Sequence, residues 1–159
     1  MENKAKNSIK HRIGNCDELS DVAASLLFDV VSETPLFFEK FSFLEKAGYD
    51  HCFLVVNRSP NSDPRDITTW GQEALICDPW GNAVFDVSWM LSGLAYQNRM
   101  FDYINSGLQD PNEALEIEYR FESGIGHTLR WQEKHRGSLW EMDDYWLENK
   151  KTGLSFGSE

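Results

Sequence analysis

One stretch of this chain narrows its fold more than any other: His51-Cys52-Phe53-Leu54-Val55-Val56 is apolar at nearly every position. A strand that meets water on one face alternates apolar with polar residues, so an unbroken apolar run reads as a strand covered on both faces. Such a strand needs neighbours at its sides and packing above and below. Tyr49 to Asn57 is therefore expected to be a buried strand. Ala74 to Cys77 is a second, ended by the turn Asp78-Pro79-Trp80-Gly81-Asn82. Ala83 to Val87 returns from that turn as a third, and residues 58–71, with Pro60 and Pro64, read as a polar loop.

The covering layers are expected to be helices. After Gly14-Asn15, the residues Leu19, Val22, Ala23, Leu26, Leu27, Val30 and Val31 recur at intervals of three and four, one apolar stripe at helical period. Thr34-Pro35 reads as a second helix start, carrying Leu36, Phe37, Phe38, Phe41 and Leu44 to a stop at Gly48. Ser88 reads as the cap of a helix running through Phe101 to Gly107. Leu115, Ile117, Tyr119 and Phe121 alternate with charged residues, a half-exposed strand. Ser138-Leu139-Trp140-Glu141 reads as a capping box for a last helix through Trp146. The expectation is α+β: an amino-terminal helix carrying a cysteine, packed on a mainly antiparallel sheet. Residues 1–12 are expected to be a tail, 13–152 one domain, and 153–159 a frayed end.

Charge excludes one large class of partners. The formal net charge is −11, and Lys4, Lys6, Lys10 and Arg12 are concentrated in the tail, so the rest is more acidic still. That surface repels phosphate backbones, which argues against nucleic acid and for a protein partner with a basic surface. No apolar segment is long enough to span a bilayer, and no apolar signal core follows the basic start, so a soluble chain is expected. A polar export signal would leave no such mark. The three cysteines form no CxxC pair, which argues for reduced thiols rather than a disulfide framework or a zinc site.

Three residues could carry chemistry. Cys16 lies at the start of the first helix, where free N–H groups and the positive dipole end favour thiolate. Asp17 and Glu18 beside it oppose that charge while suiting a first helical turn. His51 opens an otherwise apolar strand, and Asp78 directly follows another. Each has a plainer reading: an inert buried cysteine, a core histidine bonded to a carbonyl, an Asp that shapes a turn before Pro. Strand alternation adds weight, since His51 and Asp78 can share one face while Cys52 and Cys77 pack on the other. A helix headed by Cys16 laid on the first face would bring thiol, imidazole and carboxylate together, the logic of a thiol triad.

Gly14-Asn15-Cys16-Asp17-Glu18-Leu19, Asp50-His51-Cys52-Phe53-Leu54-Val55-Val56 and Ile76-Cys77-Asp78-Pro79-Trp80 together resemble the three blocks of papain-like and transglutaminase-like thiol enzymes. The likeness is greatest to compact Cys-His-Asp cysteine proteases and glutamine deamidases that bacteria deliver into host cells. It covers residues 13 to 82, with spacings of 35 and then 27 residues. The resemblance implies a thiol hydrolase acting on amide bonds of a protein, such as a host protein, with Cys16 as nucleophile, His51 as base and Asp78 as orienting carboxylate. It implies no cofactor and no metal, and a place in the bacterial cytoplasm or, after export, in a host cell.

The chain departs from the papain pattern where a glutamine would precede the cysteine: Asn7-Ser8-Ile9-Lys10-His11 stand there instead. Asn15 and Asn82 are the candidate replacements as oxyanion donors, and Trp80 is a candidate shield for the site. Glutamine deamidation, peptide cleavage and transglutamination stay open as outcomes of one thioester. A non-catalytic binding module on the same fold is the alternative class. A zinc site of Cys16, His51 and another cysteine is disfavoured, because alternation points Cys52 and Cys77 away. His127 and His135 read as surface residues, and Trp131, Trp140 and Trp146 as core.

Overall fold

The computed structural model describes residues 15–30, 36–92, 98–123, 129–136 and 139–143. The expected tails, and His127 and Trp146, lie outside the described residues, as do the side chains of Trp131, His135 and Trp140. Helix α1 (Cys16–Val30) precedes strands β1 (Phe37–Phe43) and β2 (Cys52–Val56), and a 3-10 turn, Ile67–Thr69, lies before β3 (Leu75–Asp78) and β4 (Ala83–Asp86). Helices α2 (Val87–Leu91) and α3 (Arg99–Gln109) follow, then β5 (Leu115–Ser123), β6 (Leu129–Arg136) and β7 (Leu139–Asp143). The strands form one seven-stranded sheet in the order β4-β3-β2-β1-β5-β6-β7, antiparallel at every pairing.

The molecule is α+β, with its amino-terminal helix packed on the sheet. On one face Ala23, Ala24 and Leu27 of α1 pack on Phe38, Leu54, Val56, Leu75, Cys77, Tyr119 and Phe121. On the other, Phe101, Ile104 and Leu108 of α3, with Ile67 and Trp70, cover Phe41, Phe43, Phe53, Val55 and Ile76. Two covers explain why β2 is apolar on both sides. Trp70, at the end of the stretch expected to be a polar loop, is fully buried, and its Nε1 donates to the Asp63 carbonyl at 2.9 Å.

Four expectations are corrected. The segment expected as a second helix is β1, the central strand. Its aromatic residues favour a pleated surface, and its charged pair is satisfied from elsewhere in the chain. Glu39 receives Arg58 Nε and Nη2, each at 2.8 Å, and both residues are buried. Lys40, on the opposite face, is ion-paired to Asp17, to Asp21 at 3.0 Å and to Glu118 at 2.7 Å. Breaking such a pair costs several kcal/mol, so each charge fixes the strand's orientation as firmly as an apolar residue would.

The helix expected from Ser88 to Gly107 is two helices, capped by Asp86 and Asn98. Gly107 lies inside α3, where a Cβ would come within 2.6 Å of the Phe43 ring, so it marks a close approach and not a stop. Within the last expected helix, Leu139–Asp143 is instead β7, paired with β6, a strand whose own polar sequence does not announce it. Fourth, β5 does not place its four apolar residues on one face. Lys40 pairs with Tyr119 but Phe41 with Ile117, so Glu118 is an extra residue, a β-bulge. Ile117 consequently joins the α3 side, and Tyr119 and Phe121 join the α1 side.

Candidate active site

Asn15 sets the position of Cys16. Its side-chain oxygen accepts from the backbone N–H groups of Asp17 (3.0 Å) and Glu18 (3.2 Å), and Glu18 Oε2 accepts from Asn15 N–H at 2.7 Å. This capping box starts α1 at Cys16. The Cys16 N–H has no acceptor among the described residues. Asp17 does not oppose a thiolate as its sequence position suggests, because Lys40 neutralises it from beneath the helix. Tyr119 OH donates to Asp21 at 2.7 Å, tying the next turn of α1 to the same cluster.

Burial disfavours the charge on Lys40, but Asp21, Glu118 and Asp17 outweigh it and raise its pKa, so this lysine is cationic throughout the ordinary pH range. The start of α1 is thus held by one buried charge and several carboxylates.

His51 immediately precedes β2 and is only 3% exposed; Asp78, the last residue of β3, is fully buried. His51 Nε2 lies 2.8 Å from Asp78 Oδ2, and the Gly81 N–H donates to Asp78 Oδ1 at 2.9 Å. With Nε2 committed to Asp78, Nδ1 is the ring nitrogen left for the Cys16 sulfur. Phe53, Trp80 and Tyr103 surround the imidazole, with ring centroids 5.8, 5.8 and 6.2 Å away.

The three sequence candidates meet, but by a different route from the one expected. Helix α1 lies on the face of Cys52 and Cys77, not on that of His51 and Asp78. Cys16, at the helix end, reaches His51 at the margin of the sheet and also meets Cys52 on its own face. Cys52 is therefore not mere packing. It is half-buried, shares a 3.1 Å hydrogen bond with Ser42 Oγ and interacts with Cys16.

Hydrogen bonding to Cys52, then to His51, lowers the Cys16 pKa to about 5, against the opposing effect of burial. A helix start alone stabilises a thiolate by about 0.3–1 kcal/mol, less than one pKa unit. The neighbouring thiol and imidazole decide the ionisation. For His51, burial disfavours the charged ring, but hydrogen bonds to Asp78 and Cys16 raise its pKa to about 9. Between these values the pair is thiolate and imidazolium. The Cys52 thiol moves the other way, pushed up by its bond to Cys16 and by burial. It is a neutral S–H donor to its neighbour.

Asn15, Cys16, Asp50, His51, Trp80, Met100 and Tyr103 line a cleft of about 340 Å³ beside the thiol. Trp80 is 55% exposed and forms a wall of the cleft. Asn82 is exposed, at φ 51° in the turn, and is not among the residues lining the cleft. Sequence reasoning missed Asp50, Met100, Tyr103, Gly81 and Cys52. The Asp50 N–H donates to Tyr103 OH at 2.9 Å, fixing the peptide before His51, and nothing in the spacing of α3 marked that contact.

Among the described residues no group of three or more His, Cys, Asp or Glu side chains is arranged to hold a metal ion, and no helix is long and apolar enough to cross a membrane. No protein-family model, curated protein or solved structure matches the chain.

Proposed function

We propose that this chain is a thiol hydrolase of papain-like or transglutaminase-like type, acting on amide bonds of a protein substrate. One observation carries the reading: a lowered-pKa thiol at a helix start, a histidine held by a buried carboxylate, and an open cleft all converge on Cys16. The Cys16 thiolate attacks the amide carbonyl carbon, and the carbonyl π electrons move to oxygen. The Cys16 N–H, which has no acceptor among the described residues, supplies one oxyanion donor, and the Asn15 side-chain amide, whose oxygen is occupied by capping, supplies its N–H₂ as a second. The C–N bond then breaks as His51 delivers its proton to the leaving nitrogen, giving a thioester and a free amine or ammonia. His51, now neutral and still held by Asp78, takes a proton from water as that water attacks the thioester. Cys16 leaves and the carboxylate product forms. The Asp50 carboxylate on the cleft wall and the net charge of −11 favour a substrate segment carrying basic residues.

Incubation with panels of basic proteins, read by peptide mass spectrometry, tests this. A glutamine converted to glutamate, a cleaved backbone or a new cross-link distinguishes deamidation, proteolysis and transfer. Each product must vanish with Cys16→Ala. Products that persist in that variant would overturn the thiol mechanism.

A further inference from the structure

Cys16 has two neighbours able to react with it, and the hydrolytic cycle uses only His51. The other is Cys52, two residues before Leu54 on β2 and so on the sheet face that α1 covers, hydrogen-bonded to Cys16 and, at 3.1 Å, to Ser42 Oγ of the neighbouring strand. Cys16 lines the open cleft, whereas Cys52 is not among the residues lining it. Cys77, on β3 opposite Leu54, packs in the core beneath α1. One thiol thus faces solvent, a second stands behind it, and the third is placed elsewhere.

We propose that Cys16 and Cys52 form a reversible oxidation pair, in which a peroxide oxidises Cys16 and Cys52 captures the product as a disulfide. The Cys16 thiolate attacks one peroxide oxygen; an S–O bond forms and the O–O bond breaks. The departing hydroxide takes a proton from solvent, leaving Cys16 as sulfenic acid. The sulfur has lost two electrons and the peroxide has gained them. Cys52 then loses its proton, its sulfur attacks the Cys16 sulfur, the S–O bond breaks, and water leaves with that proton. A dithiol reductant restores both thiols.

The order of events follows from the charges. While Cys16 is a thiolate, its hydrogen bond to Cys52, together with burial, holds Cys52 protonated and unreactive. Oxidation to a neutral sulfenic acid removes the anionic acceptor of that hydrogen bond, so Cys52 gives up its proton more readily once there is something to capture. The disulfide protects Cys16 from further, irreversible oxidation and takes the nucleophile out of the cleft's chemistry. None of this requires that the chain hydrolyse amides.

The test uses the reduced full chain and hydrogen peroxide. After oxidation, unfolding and alkylation with N-ethylmaleimide, the wild-type chain should lose two hydrogens in mass and take up label only at Cys77. Lys40, Lys46 and Arg65 separate the three cysteines, so trypsin places each on its own peptide. The peptides of Cys16 and Cys52 should appear linked and separate with dithiothreitol. In Cys52→Ser, checked for fold by circular dichroism, Cys16 should react with dimedone and go on to the sulfinic acid. Cys77→Ser must leave the Cys16–Cys52 link intact, and this holds the test if Cys52→Ser fails to fold. A wild-type chain that reaches the sulfinic acid with Cys52 still alkylatable would overturn the proposal, as would a link to Cys77. Neither result bears on hydrolysis, which the Cys16→Ala comparison decides separately.

Discussion

Gly81 touches Asp78 twice over: its N–H donates to Oδ1 at 2.9 Å, and a Cβ on Gly81 would stand 2.8 Å from Oδ2, the oxygen that holds His51. Gly81→Ala must therefore displace either the turn or the carboxylate. The carboxylate is fully buried between β3 and the imidazole and has little room to yield. Activity on a verified substrate should fall roughly tenfold to a hundredfold, the usual effect of a small misplacement at a reacting centre. Far-ultraviolet circular dichroism should stay unchanged. An unaltered kcat/KM in a folded Gly81→Ala protein would show that Asp78 does not need this position.

The ionisation of the pair sets a pH window. The thiolate is present above about pH 5 and the imidazolium below about pH 9. Hydrolysis should follow a bell with limbs near those values. Iodoacetamide should label Cys16 with a rate that rises around pH 5, where an ordinary thiol would wait until near pH 9. In Cys52→Ala and in His51→Ala the rise should move to higher pH, since each variant removes a hydrogen bond that favours the thiolate. A labelling profile unmoved by both variants contradicts the assigned causes.

Removing the triad members separates their roles. Cys16→Ala should leave background activity, and His51→Ala should be nearly as severe. Asp78→Asn should lose less, because an amide still orients the ring. Residues that act as one unit do not add, so Cys16→Ala/His51→Ala should be no worse than Cys16→Ala alone. Additive losses in the double variant would mean that the two act independently.

Lys40→Met should be among the most destabilising single changes in the chain. It leaves Asp21 buried without its cation and Tyr119 OH beside an unpaired carboxylate, a loss of about 3–5 kcal/mol. Urea denaturation should show the drop with little change in m. Cys77→Ala, which removes one sulfur from the α1 core, should cost only about 1–2 kcal/mol and leave hydrolysis intact. Comparable losses in the two variants would mean that the Lys40 cluster is not the anchor of α1.

What the sequence disclosed was what local pattern encodes. The apolar run of β2, the turn after Asp78 and the capped start of α1 are legible because each depends on neighbours a few residues away. β1 was not, since Phe37, Phe38, Phe41 and Leu44 fit a helical stripe as readily as a strand. The partners that make Glu39 and Lys40 tolerable in a central strand arrive from Arg58, Asp21 and Glu118. β6 owes its state to pairing with β5, and β7 in turn to pairing with β6, rather than to their own patterns. At the site, alternation rightly separated His51 from Cys52. It could not say which face α1 would cover, and so hid the contact of Cys52 with Cys16.

The extra residue at Glu118 works as a change of reading frame within one strand. Upstream of it, odd-numbered apolar residues serve the core under α3; downstream, they serve the core under α1. A single-residue deletion at Glu118 would leave Ile117 opposite Phe41 and Tyr119 opposite Lys40 in unbroken alternation, each still facing its own core, but would withdraw one of the carboxylates of Lys40. Length is thus constrained on either side of the joint, where a lost residue would turn its neighbours to the other core, while at the joint itself the cost of a gap falls on Lys40.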